Sequence, residues 1–574
     1  MTALRAAPLS ERRFVPNRWD LAAAPLVLGI FVLLAHGAHE MVAPLGPTAA
    51  PAISLDPAVL PEYALRTTLR MFAALGCSLV FTFTVATLAA KSRRAELIIV
   101  PLLDILQSVP VLGFISVTIT WFLQLFPGRV LGAECAAIFA VFTSQAWNMA
   151  LGFYQSLRTE PADLDEACRM LRLSAWQRFC RLDVPFALPG LVWNMMMSMS
   201  GGWFFVVAAE SISVGERHIA LPGIGSYVAR AIALRRLDAI GWAIAAMLIV
   251  ILVYDQLLFR PLVHWSERFR FEQTAGREGA EPWLTHLLRR ARILPVLLAP
   301  LVRFGDWLPS LRLARRHGDP VPARAPARLV DALWGATLAA LAGVALVGTV
   351  RYLARELGMA DVFIALGLGF ATLLRVVVLI ALASAVWVPI GVAVGQRPRL
   401  AAAVQPLAQF LAAFPANLLF PPAVFLIVNF RLDPDVWLSP LMILGTQWYV
   451  LFNVIAGASA FPTDLREAAA TFRLRGWTRW RAAILPGIFP YFVTGALTAT
   501  GGCWNASIVG EAVAWGDSRL EAHGLGAYIA NATAAGDYPR IVLGIAVMSA
   551  FVVLFNRLVW RRLYAFAETR FRIG

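Results

Sequence analysis

The sequence predicts an all-α polytopic membrane protein with about twelve transmembrane helices in two parallel six-helix repeats. Three observations predict it. Of 574 residues, 59% are hydrophobic and 15% charged, with mean hydropathy +0.68, whereas soluble domains carry about 25% charged residues. Apolar runs of bilayer length, about 20 residues, recur along the whole chain. The second half also repeats the first at a nearly fixed offset. A water-soluble or disordered chain is excluded by the same composition.

Residues 1–20 are polar and bear Arg5, Arg12, Arg13 and Arg18; the apolar run at 21–38 follows without a small-residue cleavage site, so it reads as an uncleaved first span. Further runs lie near 67–90, 97–126, 130–156, 186–209 and 239–259. A second set lies near 329–354, 363–395, 400–430, 437–460, 487–510 and 540–563. Between the sets, 260–328 holds 13 arginines against 6 acids. The net charge of +15 follows from arginine clusters that flank apolar runs, the pattern of cytoplasmic loops rather than of a nucleic-acid surface. Alternating the spans places both termini, 157–185, 260–328 and 459–486 in the cytoplasm, and 39–62, 210–238 and 511–539 outside. Arg217, Arg230, Arg235 and Arg236 fit the outside assignment poorly. The basic linker reads as amphipathic, lying on the membrane surface.

Adding 305 maps Arg70 onto Arg375, Arg94 onto Arg399 and Pro110 onto Pro415. From residue 163 onward the offset is 301, and 10 of 27 positions over 163–189 are identical. The repeat is parallel, so the halves face each other about an axis along the membrane normal, with a pathway between them. The boundaries read as 1–66 (N-terminus, first span, outer loop), 67–270 (first repeat), 271–328 (linker), 329–371 (seventh span and loop) and 372–574 (second repeat).

Each half carries an acidic loop between its fourth and fifth spans: Asp163-Leu-Asp-Glu166-Ala167 and Asp464-Leu-Arg-Glu467-Ala468-Ala469. Asp at the N-cap with Glu three residues on is a capping box, which does no more than start a helix. In both loops, however, small residues follow the glutamate, and Trp176/Trp477 and Pro185/Pro486 come next. Two copies of a short helix projecting from the membrane suit a two-fold partner.

These loops resemble the EAA loop of ABC-importer permeases, a pattern that opens on Glu166-Ala167-Cys168 and Glu467-Ala468-Ala469 and closes near Pro185 and Pro486. Both copies place arginine, Arg172 and Arg473, where that pattern has glycine. Trp203 through Glu210 with Gly223-Ile-Gly225, and Trp504 through Glu511 with Gly524-Leu-Gly526, are similar to the nitrate/sulfonate/taurine type of permease, in its duplicated single-chain form. The resemblance implies a type I importer fold in the bacterial inner membrane. It implies two ATP-binding-cassette subunits docking on the two EAA helices, and a periplasmic or lipid-anchored solute-binding protein delivering a small anion such as nitrate, a sulfonate or bicarbonate. A Walker A loop needs a lysine on the phosphates, and the single lysine, Lys91, has no glycine frame around it. ATP and magnesium are therefore expected on the partner subunits, with no cofactor in this chain.

Polar residues within spans are pathway candidates or interhelical glue: Gln107, Gln145, Asn148, Asn417, Gln447, Asn453 and Asn505. Trp203 and Trp504 are pathway candidates as well. Pro110 and Pro415 break helices at a place where freed backbone would line a cavity. Glu210 and Glu511 end the fifth spans, as a gate, a binding-protein contact or solvated helix ends. Arg70 and Arg375 read as snorkelling or as structural ion pairs. No nucleophile–base set indicates an enzyme. His36, His39 and Glu40 lack the further ligands that a metal requires. The competing architecture is a major-facilitator-type secondary transporter, also 6+6, whose usual signature loop between its second and third spans is not matched by Lys91–Glu96.

Overall fold

The computed structural model describes residues 53–108, 118–119, 121–127, 129–214, 217–269, 283–290, 299–311, 327–459, 467, 471–516 and 518–570. Among these, eight helices are long and apolar enough to cross a bilayer. Two further helix pairs reach that length only when counted across a bend, of 80° at Ala413/Ala416 and 43° at Ile443/Gln447. Of the twelve expected runs, 21–38 lies outside the described residues. The run at 97–126 is helical over Arg93–Ser108, and 109–117 is outside the description.

The long helices of the first half are α1 (Leu60–Phe81), α2 (Arg93–Ser108), α3 (Leu131–Arg158), α4 (Val184–Glu210) and α5 (Leu237–Tyr254). Helix α6 (Ala327–Glu356) follows the linker and is exposed at every described side chain but one, as a lipid-facing helix is. The second half runs through α7 (Met359–Gly395), α8 (Pro398–Ala413), α9 (Gln447–Ser459), α10 (Leu485–Gly510) and α11 (Tyr538–Phe555). In the linker, Leu284 and Leu287 of helix Trp283–Arg290 are buried.

The duplication recurs in small details. After α4, strands Ser211–Val214 and Arg217–Ala220 form an antiparallel hairpin; after α10, Ala512–Trp515 and Ser518–Glu521 repeat it. Neither hairpin was legible in the apolar pattern, because four-residue strands carry no period of their own. One π-helical turn precedes α4 and α10 (Phe179–Asp183, Trp480–Ile484), and another follows α5 and α11 (Asp255–Phe259, Asn556–Trp560).

The halves interlock. Helix α2 packs on α11 of the other half, and α8 packs on α5. The core around Met149 and Trp203 takes in Leu418, Phe420 and Val424 from the second half. The core around Cys503 and Trp504 takes in Ala136, Ala137 and Ala140 from the first. Asn417 Nδ2 donates to the Phe204 carbonyl at 3.1 Å, and Gly516 N–H donates to the Ile232 carbonyl at 3.0 Å.

Candidate functional site

Two features come in matched pairs, a buried ion-pair cluster at one end of the helices and a loop at the opposite end, and one cavity lies between the halves.

In the first half, Arg70 of α1 is fully buried. It holds Glu134 through two parallel bonds of 2.6 and 2.7 Å, and Glu210 at 2.6 Å. The other Glu210 oxygen accepts the Gly225 N–H at 2.7 Å, and Thr67 Oγ1 accepts the Ile224 N–H at 3.1 Å. The second half repeats the design residue by residue: Arg375 bonds Glu511 at 3.1 Å and Asp435 at 2.7 Å, and Glu511 accepts Gly526 N–H at 2.8 Å. Thr372 takes the place of Thr67. Glu210 and Glu511 are 0% and 1% exposed. They are neither solvated helix ends nor cavity residues. Spare lone pairs on a desolvated carboxylate need donors, and Gly225 and Gly526 supply them by letting the backbone approach. Thr67, Thr372, Glu134 and Asp435 were missed from the sequence; Asp435 lies 301 residues after Glu134, an offset that the sequence establishes only from residue 163 onward.

The cavity has a volume of about 300 Å³ and lies where α3 and α4 face α9 and α10. Its walls include matched stretches, 143–148 with 444–449 and 197–205 with 498–506, and Leu441, Met442, Val552, Phe555, Asn556 and Trp560 are added from the second half. Gln107, Asn148 and Asn505 line it. Asn148 donates to Ser198 at 3.3 Å and Asn505 to the Gly501 carbonyl at 3.1 Å. The chain breaks at Pro415, and Phe414 and Ala416 reach the cavity from that break. The other span candidates lie elsewhere. Asn453 Nδ2 donates to the Tyr449 carbonyl at 2.8 Å. Gln145 is buried against Met199, with Nε2 3.2 Å from the sulfur. Gln447 accepts from Trp387 Nε1 at 2.9 Å, and Asn417 is turned toward Phe204. Trp203 and Trp504 are core residues, 0% and 1% exposed, packed on Tyr254 and Phe551. Sequence reasoning missed Tyr449, the equivalent of Asn148, together with the hydroxyls of Ser144, Ser198, Thr498 and Thr500. Serine and threonine are unremarkable inside membrane helices; only the helix rotation selects those that face a cavity. Among the described residues no charged side chain lines it.

At the far end of α4, helix Ala162–Met170 carries the first acidic loop. Its N-cap is Pro161, without a side-chain cap. This corrects the capping-box reading: Asp163 is the second helical residue, so its carboxylate serves the helix dipole rather than the cap. Asp163, Glu166, Ala167 and Met170 are all exposed, and their spacing puts them on one face. Cys168 is buried on the other, and burial raises its thiol pKa. The helix ends at Arg172, in the left-handed region at φ 49°, where Arg172 N–H donates to the Arg169 carbonyl and Leu173 N–H to the Cys168 carbonyl. Glycine is the usual residue at such a left-handed helix end, so arginine keeps the geometry at a steric cost. In the second loop Glu467 is helical and exposed, and Arg473 again has φ 49°. Asp464, Ala468 and Ala469 lie outside the described residues. Pro185 and Pro486 each lie just after a π-helical turn, as the second residue of α4 and α10.

Residues 78–260 and 385–573 match the family described as binding-protein-dependent transport system inner membrane component. A bicarbonate transport system permease protein of Synechococcus elongatus is 28% identical over 145 residues, 25% of this chain and 48% of that protein. A nitrate import permease protein of Leptolyngbya laminosa is 25% identical over 128 residues, 22% of this chain and 41% of that protein. A putative aliphatic sulfonates transport permease protein of Bacillus subtilis is 25% identical over 191 residues, 32% of this chain and 63% of that protein. The chain thus spans about half the length of the relatives it matches.

Proposed function

The chain belongs to the family of binding-protein-dependent transport system inner membrane components, and from that premise we propose that it moves a small anion inward, driven by two separate ATPase subunits on its two acidic loops. The observation that carries this reading is the cavity of about 300 Å³ shared by two matched sets of helices. It sits between a pair of loops at one end and a pair of locked ion clusters at the other. The arginine distribution assigns the loops to the cytoplasm and the clusters to the outside, with both termini inside. Asp163, Glu166 and Ala167, with Asp464, Glu467, Ala468 and Ala469, then form the faces that enter the ATPases. Each arginine turn, Arg172 or Arg473, and the proline after it, Pro185 or Pro486, joins that face to a membrane helix. Binding by an external protein and ATP hydrolysis inside would bias a two-state core, and ATP and magnesium stay on the partners.

The relatives' names, bicarbonate, nitrate and aliphatic sulfonates, set the substrate class proposed here. Hydroxyls and amides, with no cation among the described lining residues, would meet an anion through neutral donors. Selection would then rest with the external binding protein, and the cavity would serve passage.

The test is to purify the tagged chain from its native membrane in mild detergent. Two copies of a Walker-A-bearing ATPase per chain are expected. A chain that comes out alone and transports on an ion gradient would instead establish a secondary transporter. In the complex, Glu166→Lys with Glu467→Lys is expected to release the ATPase or abolish coupled transport while leaving the chain in the membrane; full transport by the double variant would overturn the docking assignment.

A further inference from the structure

Beneath the first loop, Arg178 is 9% exposed. Its guanidinium reaches Glu160 at 3.2 Å, Asp183 at 3.3 Å and also Asp165 of the docking helix. Lys91, from the turn before α2, bonds Asp183 at 3.0 Å. One arginine therefore ties the docking helix to the end of α3, to the start of α4 and, through Asp183, to the α1–α2 turn. Burial raises the Glu160 carboxyl pKa, against the pull of Arg178. Next to this cluster Ser174 and Gln177 cap each other reciprocally, and Gln177 Nε2 reaches the Ser310 carbonyl of the linker at 3.5 Å. Trp176 stacks on Phe179 with ring centres 5.7 Å apart.

The second half keeps the arginine and drops its partners. At the repeat offsets Arg479 remains, but Glu160, Asp165, Asp183 and Lys91 become Phe461, Arg466, Ile484 and Gln396. Ser174 and Gln177 become Arg475 and Thr478, and Arg475 is an N-cap without a side-chain bond. Trp477 is 72% exposed. The outer ion cluster, by contrast, survives in both halves, so the loss is specific to the loop end.

We propose that the two loops are mechanically unequal: Arg178 is a positioning residue that presets the first docking helix as a rigid lever, and the second loop, whose sequence lacks the three acids of that clasp at the equivalent positions, adapts to its ATPase. The proposal rests on the importer reading for its consequence, since a rigid lever transmits force where a compliant one yields. The clasp itself is testable on the full chain alone.

Hydrogen–deuterium exchange on the full-length protein in lipid nanodiscs reads it directly. Peptides covering 162–173 are expected to exchange at least about tenfold more slowly than those covering 463–474, the equivalent of one lost charge-assisted hydrogen bond. Arg178→Gln should remove that difference, Arg178→Lys should restore part of it, and Arg479→Gln should leave 463–474 unchanged. Asp183→Asn, which keeps shape and loses charge, serves where Arg178→Gln fails to fold. Equal exchange in the two wild-type loops, or no effect of both Arg178→Gln and Asp183→Asn, would overturn the clasp whatever the ATPase does. In the co-purified complex, Arg178→Gln is expected to lower coupled transport more than Arg479→Gln does. If the exchange difference stands and no ATPase co-purifies, the clasp holds and the docking reading fails.

Discussion

Arg70 and Arg375 occupy equivalent positions with unequal surroundings, and their removal should be unequal too. Arg70→Gln leaves Glu134 and Glu210 buried without a cation, an expected loss of about 3–5 kcal/mol, read as a fall in the melting temperature of the detergent-purified chain. Asp435 is 38% exposed and can be solvated, so Arg375→Gln should cost clearly less; an equal loss from both would refute this account of burial. At the loop ends, Arg172 and Arg473 both have φ 49° while Arg235, at φ 55°, is matched by Gly536 at φ 69°. The chain thus holds its own control for the same helix end. Arg172→Gly and Arg473→Gly are expected to raise stability by about 1 kcal/mol each by removing left-handed strain, whereas Arg172→Ala should be near neutral. A loss from Arg172→Gly in thermal unfolding would mean that the side chain, not the backbone, dominates there.

At the scale of elements, the paired glycines after each hairpin decide how closely the following helix approaches. A Cβ on Gly225 would lie 2.1 Å from the Val207 carbonyl oxygen, and one on Gly526 2.4 Å from that of Ser507. Gly225→Ala or Gly526→Ala should therefore push the helix off α4 or α10 and break the N–H bond to the glutamate. The expected cost is about 1–3 kcal/mol from overpacking, on top of the lost bond, measured by the same unfolding assay; wild-type stability of either variant would show that the close approach is not required. The repeat motif around Gly223-Ile-Gly225 was visible in the sequence. Its reason was not, because the carboxylate that fills the space comes from Glu210, 15 residues away in the chain.

For the whole molecule, each core contains segments of the other half, so neither half is expected to fold alone. A chain divided between residues 311 and 327 should reassemble when both pieces are co-expressed, and each piece alone should aggregate. Recovery of a monodisperse half-chain would show that the exchanged α2–α11 and α8–α5 contacts are dispensable.

Composition and apolar run length determined that the chain lives in a membrane and is helical. The offset determined that it is a duplication, and the two acidic loops marked its family. These are local or self-comparing signals, carried by residues near one another or by the chain against itself. Tertiary structure alone decided that Arg70 meets Glu134 and Glu210, that Asn148 and Asn505 face a cavity while Gln145 and Gln447 do not, and that Arg178 gathers Glu160, Asp165 and Asp183. The physical reason is helix rotation: each residue turns the helix by about 100°, so the partner of a polar side chain depends on how whole helices pack. That packing is fixed by contacts between helices tens of residues or more apart in the chain.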